Sequence, residues 1–164
     1  MLLLAACLVV AMTHPALAAN TCDEVYQASI KTVQTPHHLY YTITQGTGTG
    51  KLPAGEAVYV GGIRYSKMDG KWRRGLGTPQ EELEFAKEKV KMTMPDTCTR
   101  VGDETIGSQA VSVYKGHNNL AGNEQVFRIF RSSGLLQSDT VSQSDQVVEM
   151  RYEYTNVQAP ANAQ

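Results

Sequence analysis

Hydrophobic and polar residues follow a helical spacing in two segments of the chain. The first segment, Thr21–Val33, opens on Thr21-Cys22-Asp23-Glu24, a pattern typical of a helix capping box. Pro36 marks its end. Its apolar stripe recurs every three to four residues and consists of Val25, Ser29 with Ile30, and Val33.

The second helical segment begins at Thr78-Pro79-Gln80-Glu81, with a capping residue, a proline in the first turn and a glutamate at the third position. Acidic residues come early and lysines late, which complements the helix dipole. Pro95 ends the segment. The narrow stripe of Leu83, Ala86 and Val90 predicts a surface helix that buries one edge.

The rest of the chain predicts strands separated by turns. Asp69-Gly70 is a strong hairpin signal, and Gly61-Gly62 indicates a bulge or a sharp bend. In the last strand, apolar and charged residues alternate as in an antiparallel strand with one buried face. The predicted strands are Leu39–Thr44, Glu56–Val60, Ile63–Met68, Lys71–Arg74, Thr99–Ile106, Ala110–Lys115, Gln125–Arg131, Leu135–Ser142 and Val147–Tyr154.

This order of elements predicts an α+β fold. We expect a curved antiparallel β-sheet, an open half-barrel, with two or more helices against its concave face. Two short helices cannot cover so broad a sheet, so a concave apolar pocket should remain between them.

The N-terminal residues predict export. Residues 1–18 read as a signal peptide, with an apolar run and cleavage near Ala18/Ala19. A single domain, 19–157, and a disordered tail, 158–164, follow, and the mature protein is expected in the periplasm or outside the cell. No basic residue precedes the apolar run, which indicates an upstream start or a misassigned Met1. An upstream start would favour the alternative that Cys7 is lipidated.

Charge excludes several classes of partner. The chain has 15 basic and 16 acidic residues and a net charge of −1. This balance indicates no nucleic-acid partner and no polybasic face for anionic membranes. The predicted mature chain has no apolar stretch long enough for a transmembrane segment.

Two cysteines, Cys22 and Cys98, remain after the predicted cleavage. In an exported protein they predict a disulfide. A catalytic thiol or a metal pair is the alternative, but neither a CxxC pattern nor a nearby histidine supports it.

Catalytic, metal and cofactor patterns are weak. The glycine-rich stretch 46–51 lacks the spacing and the Ser or Thr after Lys51 that a phosphate loop requires. Adjacent strand residues such as His37 and His38 face opposite ways and cannot easily share one metal with His117. Nothing singles out Asp69 or Asp139 for acid–base chemistry. We therefore predict no enzyme, no metal and no cofactor.

Aromatic residues lie almost wholly in the predicted strands. Cross-strand core pairing is one interpretation, and lining of a ligand cavity is the other, since tyrosines suit an apolar pocket with a polar rim. The groove candidates are Tyr41, Ile43, Tyr59, Ile63, Tyr65, Trp72, Phe127, Met150 and Tyr152.

The order of these elements resembles the LolA/LolB-like periplasmic lipoprotein-carrier family. The resemblance rests on the N-terminal helix after a signal peptide, the Leu39–Thr44 strand, the hairpin around Asp69-Gly70-Lys71-Trp72, the stretch from Phe127 to Leu136 and the closing Tyr152-Glu153-Tyr154 strand. In the stretch, Leu136 replaces the family's proline. The resemblance implies an unclosed barrel that holds acyl chains under a helical lid, with a lipid or lipoprotein as partner. Its barrel arginine corresponds to Arg64, Arg73 or Arg128.

These observations predict a non-enzymatic exported protein that binds a lipid, an acylated protein or another amphiphile in an apolar groove. Two alternatives stay open. One is a cone-shaped domain like nuclear transport factor 2, with a small-molecule or catalytic cavity marked by an inward carboxylate or histidine. The other is an envelope interaction module without a ligand.

Overall fold

The computed structural model describes residues 22–45 and 51–164. The predicted signal peptide, Cys7 and most of the glycine-rich stretch lie outside the described residues. The helices are α1, Cys22–Gln34, and α2, Pro79–Thr93. The strands are β1 His37–Gln45, β2 Lys51–Val60, β3 Ile63–Met68, β4 Lys71–Arg74, β5 Thr97–Ile106, β6 Gln109–Asn118, β7 Asn123–Phe130, β8 Leu136–Gln143 and β9 Gln146–Glu153.

All nine strands of the described part form one sheet in the order β4-β3-β2-β1-β9-β8-β7-β6-β5. Neighbouring strands pair antiparallel throughout, and β1 joins the two halves of the sheet by pairing with both β2 and β9. The sheet does not close, since β4 and β5 lie at opposite edges. The predicted α+β class and the open, curved antiparallel sheet with its two helices are confirmed.

Two tight hairpins lie in the first half of the sheet. Val60 pairs directly with Ile63, so Gly61 and Gly62 form a two-residue loop with φ of 61° and 73°. Positive φ at both central positions matches the turn that suits strand twist, which explains the paired glycines. The predicted bulge or bend is therefore a hairpin turn. Asp69-Gly70 forms the next hairpin, as predicted, because Met68 pairs with Lys71.

Helix α1 is fixed to the sheet by its apolar stripe and by a covalent bond. Its buried residues are Val25, Ala28, Ser29 and Thr32. Val25 and Ser29 belong to the predicted stripe, whereas at the C-terminal end Thr32 is buried in place of the predicted Val33. Val25 and Ala28 pack on the inner face of the second half of the sheet, in a core with Cys98, Tyr114, Phe127, Ile129 and Leu136. The predicted disulfide is present, with 4.9 Å between the Cα atoms of Cys22 and Cys98.

Helix α2 begins as the sequence predicts and packs more loosely. The Thr78 side chain accepts a hydrogen bond from the Glu81 backbone N–H, and the Glu81 carboxylate accepts one from the Thr78 N–H at 2.8 Å. None of its residues is fully buried, while Phe85 and Met92 are exposed. The helix therefore lies over the sheet as a cover rather than as part of the core. Neither described helix combines the length and hydrophobicity that crossing a membrane requires.

The C-terminal residues lie beside the edge strand β4. The Arg74 N–H donates to the Gln164 carbonyl at 2.7 Å, and the Gln164 N–H donates to the Trp72 carbonyl at 3.1 Å. The composition of the tail gave no indication of this contact. The two bonds cover part of the β4 edge of the sheet, which would otherwise be unpaired. The boundaries at residues 18 and 157 stay predictions.

Candidate functional site

A cavity of about 330 Å³ lies between the two helices and the inner face of the sheet. Helix α1 contributes Ser29, Thr32 and Val33, and α2 contributes one side from Glu82 to Thr93. The sheet contributes residues from six strands, β1, β2, β3, β7, β8 and β9. Because α1 covers one half of the inner face and α2 rests loosely on the other, the space between them stays unfilled. Its volume is within the range of small-molecule pockets.

The wall of the cavity is mainly apolar. Carbon-rich side chains come from every layer around it: Val33, Leu39, Phe85, Ala86, Val90, Met94, Phe127, Leu136, Val141 and Met150. An apolar ligand that enters displaces water from this surface, which favours binding. The cavity therefore suits a hydrocarbon chain better than a charged metabolite.

Most buried polar groups of the wall already have partners. The Ser29 hydroxyl donates to the Val25 carbonyl at 2.9 Å. The Gln125 amide donates to the Thr93 carbonyl at 3.1 Å and thereby fastens the end of α2. These bonds hold the donor groups of both side chains within the wall.

Thr32 joins α1 to the strand beneath it. Its Oγ1 accepts the Leu136 N–H at 3.0 Å and lies 3.2 Å from the Tyr154 hydroxyl. The same Tyr154 hydroxyl donates to the Leu136 carbonyl at 2.5 Å. These three hydrogen bonds form a network that fixes the position of α1 over β8. They thereby fix one side of the cavity.

We expect Thr32→Val to lower the free energy of unfolding by about 1–3 kcal/mol. Valine keeps the shape but leaves the buried Leu136 N–H without its acceptor. Urea unfolding monitored by circular dichroism measures the loss. Thr35→Val is the matched control, because the Thr35 hydroxyl bonds to the Lys31 carbonyl at the exposed end of α1. Equal stabilities for the two variants would contradict the role given to Thr32.

His37 and two tyrosines form an aromatic wall beside β1. The His37 ring stacks on Tyr59 at 4.5 Å between centroids and meets Tyr152 edge-on at 5.6 Å. Its Nδ1 lies 2.8 Å from the Thr35 carbonyl. Burial lowers the pKa of His37, so the ring is neutral at pH 7. Burial likewise raises the pKa values of Tyr59 and Tyr152, which keeps both phenols protonated.

Two polar atoms are buried without a hydrogen-bond partner in the described part of the chain, and both belong to residues that line this cavity. They are Arg64 Nε and Asp139 Oδ1. Burial raises the pKa of Asp139 to about 7. Its carboxyl group therefore exists in comparable neutral and ionised amounts near neutral pH.

Four of the nine predicted groove residues line the cavity: Tyr59, Phe127, Met150 and Tyr152. Tyr41 and Ile43 share that face but lie further along β1, opposite Met150 and Val148. The Tyr41 ring covers Gly55, where an added Cβ would lie 1.5 Å from the ring carbon Cζ. This ring packs against β2 at Gly55 instead of lining the cavity.

The other three predicted groove residues lie on the opposite face of the sheet. Arg64 lines the cavity, so its strand neighbours Ile63 and Tyr65 point away from it. Trp72 pairs with Lys67, which shares their face, and the Lys67 ammonium lies 5.5 Å from the Trp72 ring centroid. The alternation of a strand predicts that Ile63 and Tyr65 share one face and Arg64 the other, but it does not say which face is the inner one. The prediction placed Ile63 and Tyr65 on the inner face, whereas the structure places Arg64 there.

Sequence reasoning missed Asp139, His37 and the α2 residues as parts of the wall. Asp139 pairs with Phe127 and Met150 across the sheet, an environment that only the strand register reveals. His37 precedes the predicted strand Leu39–Thr44, and its burial follows from β1 beginning two residues earlier than predicted. Of the three candidate arginines, Arg64 lies in the wall, while Arg128 bonds to Glu104 on the other face.

The described residues contain no cluster that would bind a metal ion. No group of three or more His, Cys, Asp or Glu side chains there is arranged to hold an ion. His37 faces the cavity, whereas the His38 Nε2 lies 2.7 Å from a Glu56 carboxylate oxygen on the outer face.

Solved structures share this architecture. LprF from Mycobacterium bovis matches with a TM-score of 0.53 and 11% identity, covering 90% of this chain and 99% of that one. The Mycobacterium tuberculosis lipoprotein LppX matches at 0.50 and 12%, covering 85% and 97%. A LolA superfamily protein from Nitrosomonas europaea matches at 0.32 and 8%, covering 80% and 91%. No protein-family model and no curated protein matches the sequence. The likenesses to LprF and LppX show that this chain shares their fold.

Proposed function

We propose that this protein is an exported, non-enzymatic binding protein that holds a lipid, an acylated protein or another amphiphile in the cavity under α2. The observation on which this rests is the apolar cavity of about 330 Å³ between the helices and the sheet. An unfilled apolar space costs stability, because its lining atoms lose packing contacts. A guest with a hydrocarbon chain restores those contacts.

The looseness of α2 supports entry of such a guest. The helix has no fully buried residue, and Phe85, which lines the cavity, is 63% exposed. Few apolar contacts have to break when the helix moves outward, so opening costs little free energy. Helix α1 is fixed by the disulfide and by Thr32, which makes α2 the movable wall.

The disulfide also supports location outside the cytoplasm. Structural disulfides persist in oxidising compartments such as the bacterial periplasm. With the predicted signal peptide, this favours a periplasmic or secreted protein whose partner is a lipid or a lipoprotein. The fold shared with LprF and with the lipoprotein LppX supports the open half-barrel that this proposal requires.

Native mass spectrometry of gently purified protein tests the proposal. We expect an adduct that organic extraction removes and that fatty-acyl probes restore. Protein that is consistently empty and ignores these probes would overturn the binding function.

Blocking the cavity from α2 should abolish that binding. Ala86 faces the cavity, so Ala86→Trp places an indole inside it. We expect at least a tenfold loss of affinity for a fluorescent acyl probe, with an unchanged circular-dichroism spectrum. Glu88→Trp, on the exposed side of the same helix, is the matched control and should bind normally. Normal binding by both variants would show that acyl chains bind elsewhere.

One observation also favours the alternative of a catalytic cavity. A carboxyl group with a pKa of about 7 in an apolar site is typical of a general acid or base. The described neighbours nevertheless include no side chain that hydrogen-bonds to its Oδ1, and the His37 Nδ1 is bonded to a backbone carbonyl. A screen of ester and glycoside substrates, with Asp139→Asn as the negative control, would detect such activity.

A further inference from the structure

Asp139 lies in the middle of an apolar row on the inner face of the sheet. Its cross-strand neighbours are Phe127 on β7 and Met150 on β9, and both line the cavity with it. Val141, two residues further along β8, belongs to the same wall. The side chains of this row therefore offer the carboxyl group no hydrogen-bond donor. Tyr152, two residues beyond Met150 on the same face, is the titratable neighbour of this row, since the Asp139 charge adds to burial in raising the pKa of its phenol.

The absence of a partner at this point is specific. In the described part of the chain, no other buried side-chain oxygen lacks a hydrogen bond, since the only other buried orphan atom is the Arg64 nitrogen. Thr32 and Gln125, polar residues of the same wall, both form hydrogen bonds within the protein, Thr32 through Oγ1 and Gln125 through Nε2. Burying an unpaired polar group costs free energy that a packed apolar side chain would not. An orphaned acceptor on the wall of an apolar cavity is explained if a ligand supplies the donor.

We propose that Asp139 is the polar subsite of the cavity, and that it selects amphiphiles carrying an amine or hydroxyl donor over amphiphiles carrying a carboxylate. This inference rests on the proposed binding function. The ligand's hydrocarbon part occupies the apolar wall, and its N–H or O–H group donates to Asp139 Oδ1. A carboxylate in the same place would oppose an ionised Asp139 with a like charge in a medium of low dielectric constant.

Among the described residues, six other titratable groups line the cavity. From the sheet they are His37, Tyr59, Arg64 and Tyr152, and from α2 they are Glu82 and Lys89. His37 and the two phenols are neutral at pH 7, since burial lowers the pKa of the former and raises those of the latter. Arg64 lies on β3, four strands from β8, or up to about 19 Å along the sheet at ordinary strand spacing. Asp139 is therefore the titrating group that a ligand meets in the middle of the sheet.

The test compares three probes with the same twelve-carbon chain: dodecylammonium, dodecanol and dodecanoate, each below its micelle concentration at pH 8.5. For the wild-type protein we expect the amine and the alcohol to displace a bound fluorescent acyl probe at least tenfold better than the carboxylate. Asp139→Asn should remove most of this preference by strengthening dodecanoate binding. Glu149→Gln removes the same charge from the exposed face of β9 and should leave the preference unchanged.

The wild-type protein provides a second measurement that needs no variant. Dodecylammonium stays charged at pH 6 and pH 8.5, because an alkylammonium has a pKa of about 10. Its affinity should fall about tenfold at pH 6, where Asp139 is protonated. Binding of all three probes with no preference, no effect of Asp139→Asn and no pH dependence would overturn the subsite alone. Failure of all three probes to bind would overturn the binding function as well.

Discussion

Replacing Cys22 and Cys98 together with serine is expected to lower the free energy of unfolding by about 4 kcal/mol. The bond closes a loop between residues 76 positions apart, and a cross-link of that length restricts the unfolded chain by about this amount in the chain-entropy model. Both residues also belong to the packed region under α1, which adds a packing loss. Denaturant unfolding of the oxidised wild type and of the double variant measures the difference.

Reduction of the wild-type protein provides an independent control for the disulfide. Dithiothreitol should lower its stability to that of the double serine variant, and the variant itself should not respond to the reagent. Because α1 forms one side of the cavity, acyl-probe binding should weaken in parallel with stability. A difference below about 1 kcal/mol between oxidised and reduced protein would show that packing alone holds α1.

Local sequence signals predicted the secondary structure well wherever one residue type determines a turn or a cap. Asp69-Gly70 and the Thr78-Glu81 capping box formed where they were expected, and β3 and β4 match their predicted bounds. Strand ends were less predictable. β1 begins at His37 rather than Leu39, since pairing with β2 and β9 extends a strand beyond its β-branched residues.

The cavity could be predicted as a class of feature but not residue by residue. The number and length of the elements alone indicate that two modest helices leave the sheet partly uncovered. Assigning residues to the inner face needs the register of each strand, because a shift of one residue reverses every side chain. Phe127 and Met150 lie in the wall, whereas Tyr65 and Trp72 lie on the outer face. Asp139 gave no local signal, since its environment comes from strands that are distant in sequence.

We expect Asp139 to contribute more to the stability of the ligand-free protein at acidic than at alkaline pH. An aspartate in an unfolded chain has a pKa of about 3.9, whereas burial raises the pKa of Asp139 to about 7 in the fold. Between these values the folded protein binds the proton more tightly than the unfolded chain. The stabilisation is therefore complete below pH 4 and is lost as pH rises through 7. Each tenfold difference in proton affinity is worth about 1.4 kcal/mol, so the loss amounts to about 4 kcal/mol at most.

Asp139→Asn should remove this dependence, because the amide matches the neutral acid in shape and carries no charge at any pH. The difference in unfolding free energy between the variant and the wild type should grow in favour of the variant by up to about 4 kcal/mol from pH 4 to pH 8.5. Taking this difference cancels the opposing effect of His37, whose lowered pKa weakens the fold as pH falls through 6.5. Glu149→Gln should run parallel to the wild type. Parallel curves for Asp139→Asn as well would mean that water or a rearranged side chain solvates this carboxylate, and the orphaned acceptor would then no longer require a ligand.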